Sequence, residues 1–112
     1  MAQDAVARDP FEALGDPHRR AIVELLSAKP RSVQEIADEL PISRPAVSRH
    51  LRLLKEAGLV DQDEVGTRNV YRLDELGVQA LQTYLERVWG NAAARFRLVA
   101  ENTAPMREGE RS

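Results

Sequence analysis

The fold is decided by residues 42–60, Ile42-Ser-Arg-Pro-Ala-Val-Ser-Arg-His-Leu-Arg-Leu-Leu-Lys-Glu-Ala-Gly-Leu-Val60. Val47, Leu51, Leu54 and Ala57 recur at the spacing that puts them on one face of an α-helix. Ser43 is an N-cap candidate, and Gly58 is the kind of residue that ends a helix. From Pro41 to Lys55 the chain carries Arg44, Arg49, Arg52 and Lys55 without one acidic residue, whereas its first 40 residues carry eight acids. One face of this helix is therefore apolar, and the other is basic.

Upstream, Ser32 and Glu35 have the spacing of a capping box, and Val33, Ile36, Ala37 and Leu40 follow the helical period until Pro41. Only residues 41–43 separate this helix from the basic one, which is the helix-turn-helix arrangement. Two earlier helix starts are marked by Asp9-Pro10 and Asp16-Pro17. The first serves a short helix through Phe11, Ala13 and Leu14 that stops at Gly15. The second serves a helix with Ile22, Val23, Leu25 and Leu26 on its apolar side, reaching about Ser27 and ending at Lys29 and Pro30.

Downstream the period changes. An extended segment from Leu59 through Glu64 and a second one with Val70, Tyr71 and Leu73 flank Gly66, Thr67, Arg68 and Asn69, so the span predicts a β-hairpin. Two strands alone are marginal in water, and this hairpin must lean on the helices. From Asp74 a helical pattern returns, with Leu76, Ala80, Leu81, Tyr84, Leu85, Val88, Trp89, Ala92, Phe96 and Val99 forming a broad apolar stripe interrupted at Gly77 and Gly90. The expected fold is mainly α with a small β-hairpin, a winged helix-turn-helix that forms a homodimer through its terminal helices. Residues 1–8 are expected to be a flexible arm, 9–102 the winged domain with its dimerisation helix, and 103–112 a disordered tail.

Composition narrows the function classes. A chain of 112 residues supports one domain rather than a multidomain enzyme. With no cysteine there are no disulfides, thiolate metal sites or thiol nucleophiles. Ser43 and Ser48 lack an acid–base constellation and there is no glycine-rich phosphate loop, so an enzyme is not expected. His18 and His50 read as two isolated histidines, without metal-ligand spacing, and no cofactor is expected. No apolar run approaches a membrane span, and the N-terminus lacks the pattern of a secretory signal, which points to a cytoplasmic protein.

The formal net charge of −2 is uninformative, whereas its distribution is not. With Val47, Leu51 and Leu54 inward, Arg44, Pro45, Ser48, Arg49 and Arg52 occupy the outer surface of a helix of the size that fits the DNA major groove. His50 and Lys55 are candidate phosphate contacts, His50 equally a packing residue at the helix border. Thr67, Arg68, Asn69 and Arg72 on the hairpin are candidate wing contacts to phosphates or the minor-groove edge. Asp61, Asp63 and Glu64 are expected to face away from DNA or to moderate non-specific binding. Leu81, Tyr84, Leu85, Val88, Trp89, Ala92 and Phe96 are too much apolar area for a solitary helix and predict a symmetric dimer, with recognition helices about 34 Å apart on an inverted repeat. The expected partners are thus double-stranded DNA and a second copy of the chain, with no membrane and any small-molecule effector unknown. A protein-interaction module and a non-specific architectural DNA binder are the alternatives.

Three stretches, Phe11-Glu-Ala-Leu-Gly-Asp-Pro-His-Arg-Arg-Ala-Ile-Val-Glu-Leu-Leu26, residues 42–60, and Gly66-Thr-Arg-Asn-Val-Tyr-Arg-Leu73, together resemble the ArsR/SmtB-type winged-helix transcription regulators. The resemblance spans about residues 8 to 100. It implies a homodimeric DNA-binding repressor, puts Ser43 at the start of the recognition helix, carries DNA reading onto Arg44, Pro45, Ala46, Ser48 and Arg49, and puts Arg68 in the wing. Pro45 departs from the small polar or β-branched residue more usual there. The absence of cysteine, and of histidine on the last helix, makes the chain similar to the branch of the family that does not sense metals.

Overall fold

A computed structural model describes residues 9–103. The arm expected over 1–8 and nearly all of the tail expected over 103–112 lie outside them. Residues as far as Gln79 belong to one compact unit, and those from Ala80 onward to a second.

Each helix of the first unit starts on a side-chain acceptor. Asp9 accepts the Phe11 N–H at 3.0 Å and opens α1, Pro10–Ala13. Asp16 accepts the N–H groups of His18 and Arg19 at 2.8 and 3.2 Å and opens α2, Pro17–Ala28. In α3, Val33–Glu39, the capping box is closed both ways: Glu35 N–H donates to Ser32 Oγ, and Ser32 N–H donates to Glu35 Oε1 at 2.8 Å. Ser43 Oγ accepts the Ala46 N–H and opens α4, Arg44–Glu56. Prolines stand in the first turns of α1, α2 and α4, where a missing N–H costs nothing.

The end of α4 directs the chain into the sheet. Gly58 takes φ 80°, and Leu59 N–H reaches back to Leu54 O while Gly58 N–H reaches Lys55 O, the paired bonds of a Schellman turn. Leu59 and Val60 are thereby turned into the core, and Val60 starts β2, Val60–Val65. The turn Gly66-Thr67 leads to β3, Arg68–Leu73, so Arg68 and Asn69, expected in the loop, are the first residues of a strand. Val60 pairs with Leu73 and Val65 with Arg68, antiparallel throughout.

The expected two-stranded wing is a three-stranded sheet of order β1-β3-β2, because Arg31–Ser32 (β1) pairs with Tyr71 and Val70. A two-residue strand carries no alternation by which the sequence could betray it. It also supplies the support that an isolated hairpin lacks.

Ile22, Leu26, Ile36, Val47, Leu51, Leu54, Leu59 and Val60 are buried and form the core, completed by Ala13 and Ala57. Asp74 donates its N–H to Leu59 O, and its carboxylate accepts the N–H groups of Leu76 and Gly77 at the start of α5, Glu75–Leu85. Gly77 sits in the stripe for a steric reason: a Cβ there would collide with the Gly58 carbonyl.

In the second unit helix continues through a π-type turn, Glu86–Gly90, into α6, Asn91–Thr103, which includes Thr103 of the expected tail. Within it the Tyr84 and Trp89 rings meet edge to face at 6.4 Å, and the Arg87 guanidinium lies 5.3 Å from the Tyr84 centroid. No helix among the described residues is long and apolar enough to cross a membrane.

Candidate nucleic-acid interface

The side chains of α4 divide as its period requires. Val47, Leu51 and Leu54 are wholly buried, while Arg44, Pro45, Ser48, Arg49, Arg52 and Lys55 are exposed and Ala46 is half-buried. Ser43, also exposed, accepts the Ala46 N–H as the cap and keeps its hydroxyl proton for another acceptor. Arg44, Pro45 and Ser48 share a shallow depression with Val33 of α3, so the exposed first turn of α4 is contiguous with the start of the preceding helix.

The sheet joins the same surface. Arg44 of α4, Arg68 and Asn69 of β3, and Ser32, Val33 and Gln34 line an open recess of about 280 Å³. Arg68 Nη2 lies 3.3 Å from Glu35 Oε1, the oxygen that also accepts the Ser32 N–H. That backbone hydrogen bond, with Arg68 and Ser32 Oγ adding to it, holds the Glu35 carboxyl below its ordinary range against a smaller opposing desolvation. The capping-box spacing was legible in the sequence, but its tie to a residue 33 positions later was not. Thr67 is exposed at the tip of the sheet.

Arg72 differs from the other wing candidates. Its Nε donates to Asp63 Oδ2 at 2.8 Å and its Nη2 lies 3.7 Å from Asp61, partners set opposite or diagonally across the β2–β3 ladder. Hydrogen bonding to Arg72 pulls the Asp63 carboxyl down and raises the guanidinium in return. Two of the three acids on β2 thus neutralise a cation on their own sheet. Lys55 Nζ is 3.5 Å from Gln62 Oε1, a weak tie of the helix end to the same strand.

His50 is not on the exposed face. It is 7% exposed, and its Nδ1 accepts from Arg19 Nη1 at 3.3 Å, so the phosphate-contact expectation gives way to the packing one. The reason is angular: His50 follows Val47 by three residues and precedes Leu54 by four, which puts it on the inner stripe. Burial pushes its imidazole below the usual histidine range, and the nearby Arg19 and Arg49 add to this while Asp16 opposes it. Asp16, pushed up by burial, is carried below its ordinary value by the backbone N–H groups of Arg19 and His18.

In the second unit Leu81 is half-buried, whereas Tyr84, Leu85, Val88, Trp89, Ala92 and Phe96 are exposed, Trp89 at 58% and Phe96 at 75%.

A small helical core with a DNA-sized basic helix and a sheet beside it defines the winged helix-turn-helix class. Residues 14–63 match the model of a helix-turn-helix domain family. The chain is 54% identical over 82 residues to the HTH-type transcriptional regulator Rv2034 of Mycobacterium tuberculosis, covering 73% of this chain and 77% of that protein. It is 35% identical over 69 residues to the transcriptional repressor SdpR of Bacillus subtilis, covering 62% and 77%. Among solved structures it superposes at a TM-score of 0.59, with 30% identity over 78% of this chain and 84% of the other, on the homodimeric winged helix-turn-helix DNA-binding domain of Mb0332 from Mycobacterium bovis, a possible ArsR-family regulator. The chain belongs to the ArsR/SmtB family of transcriptional regulators.

Proposed function

We propose that this chain is a homodimeric repressor that occupies an inverted-repeat operator. The carrying observation is the cationic surface of Arg44, Arg49 and Arg52 on α4, contiguous through Arg44 with Arg68 of the sheet. Arg44, Pro45, Ala46, Ser48 and Arg49 read bases in the major groove. Ser43, Arg52, Lys55, Thr67, Arg68 and Asn69 hold the register through phosphates. Arg72 shapes the wing instead of touching DNA, since Asp61 and Asp63 already engage it.

Pairing runs through the apolar residues of the terminal helices, Leu81, Tyr84, Leu85, Val88, Trp89, Ala92 and Phe96. Exposed area of that size on a small chain favours burial against a second copy. The homodimeric neighbour supports this reading, and the repressor among the relatives supports the direction of control. The protein works on DNA in the cytoplasm, without catalysis, and residues 9–102 form the working body.

Footprinting on genomic fragments tests the proposal. Protection of an inverted repeat overlapping a promoter, with binding that weakens steeply as salt is added, is the expected result. Equal, diffuse binding to operator and scrambled sequence would reject the specific-repressor reading in favour of an architectural one. Salt-independent absence of binding would favour a protein-interaction module.

A further inference from the structure

We propose that Asp16, His18 and His50 form a site for a divalent transition-metal ion of the zinc, cobalt and nickel class, where the start of α2 meets the inner face of α4. These residues offer one carboxylate oxygen and two imidazole nitrogens that all lie within 4.8 Å of one another. The two imidazole rings, 32 positions apart in sequence, have centroids 5.8 Å apart. Imidazole with carboxylate is the donor set this class of ion favours, and the chain has no thiol to draw a softer one.

The three ligand atoms are close to the spacing that an ion requires. Ligand atoms around a tetrahedral ion with bonds of about 2.0–2.1 Å sit roughly 3.3 Å apart, so closure of the order of 1 Å is required. His18 is exposed and can supply that movement by rotating its side chain, while His50 is fixed by burial. Both hydrogen bonds to Asp16 from α2 fall on Oδ1, which leaves Oδ2 for the ion without opening the helix cap. Three protein ligands leave a fourth position to water.

Arg19 is the competing cation, and it gives the site its character. Its Nε donates to Ala13 O at 2.6 Å, which holds the guanidinium where Nη1 reaches His50 Nδ1. An ion at Nδ1 replaces the guanidinium. An ion at Nε2 drives the ring proton to Nδ1, where it faces another donor. Either way the Arg19–His50 bond is lost, so the ion exchanges one link between α2 and α4 for another. If α4 is the recognition helix of the proposed repressor, this exchange acts on the element that carries Arg44 and Arg49.

Titration of the untagged full chain with cobalt(II), followed by its visible absorption, tests the site without reference to DNA, so its failure and that of the repressor reading are distinguishable. The expected result is a spectrum that saturates at one ion per chain and is discharged by zinc(II). His18→Gln, and Asp16→Asn which keeps the cap, are each expected to weaken binding about tenfold or more. Arg19→Gln, checked for retained helical signal, is expected to tighten it. Failure to saturate, or an affinity indifferent to both His18→Gln and Asp16→Asn, overturns the proposal, as does weaker binding in a folded Arg19→Gln protein.

Discussion

Arg68 Nη2 and Glu35 Oε1 lie 3.3 Å apart, which ties the first residue of β3 to the capping box of α3 and sets the wing cation beside Arg44. An exposed pair of this kind adds little to stability, and its effect is positional. Glu35 also puts a negative charge next to the surface proposed to meet phosphates. Glu35→Gln keeps an acceptor for the Ser32 N–H and removes that charge. The variant is expected to bind operator at least as tightly as the parent, with log affinity against log salt steeper by about 0.9, the value for one more phosphate neutralised. Fluorescence anisotropy at several salt concentrations gives the slope, and an unchanged slope would mean that Arg68 does not reach DNA.

The same carboxyl predicts an acid limb. Its folded pKa is lowered from the ordinary 4.5, so the folded state favours the ionised form more than the unfolded chain does. That contribution is fully present above about pH 4.5 and is lost as the pH falls through the lower folded value. Urea midpoints from neutral pH downward should fall less steeply below pH 4.5 in Glu35→Gln than in the parent. Parallel profiles would show that the carboxylate has no net preference for the fold.

Arg44 and Arg49 carry the reading role in the proposed complex. Replacing either by Ala is expected to weaken operator binding by about 1–3 kcal/mol, roughly ten- to hundredfold, and to relax base preference at the matching position. Lys55→Ala, further along the helix, is expected to weaken operator and random sequence alike. Competition binding against single-base operator variants separates the two behaviours, and an unaltered preference in both arginine variants would remove them from base reading.

Gly77→Ala tests the close approach at the end of α4. The added methyl meets the Gly58 carbonyl, a backbone atom held by the Schellman turn, so the chain must shift to admit it. A loss of about 1–3 kcal/mol in chemical denaturation is expected, as for other overpacked sites. A change within about 0.5 kcal/mol, the size of an ordinary surface substitution, would mean that the two segments part easily.

Trp89 is the chain's only tryptophan and is 58% exposed within a single chain. Dimerisation through the terminal helices would bury it. Its emission should therefore move to shorter wavelength as protein concentration rises, in step with the dimer fraction from sedimentation. Phe96→Asp, by putting a charge in the apolar stripe, should leave the protein monomeric and its tryptophan emission red at every concentration. A dimer unaffected by Phe96→Asp would put the interface elsewhere.

The helices of the first unit were legible in the chain because each is governed by neighbours in sequence. Asp9, Asp16, Ser32 and Ser43 cap the next few N–H groups, and the apolar period of Val47, Leu51 and Leu54 sets which side is inward. The exposed arginines of α4 follow from that same period. His50 lies at the edge of the pattern, where spacing alone left packing and phosphate contact both open. The helical angle turns it inward, and α2 supplies the Arg19 partner that spacing does not record.

Tertiary structure alone decided the rest. The two-residue β1 exists only because β3 pairs with it, the Arg68–Glu35 pair bridges 33 positions, and the meeting of His18, His50 and Asp16 depends on how α2 packs on α4. Contacts within a helical turn are encoded by spacing, because the backbone geometry there is fixed in advance. Contacts between elements depend on which faces the core brings together, and no local period records them.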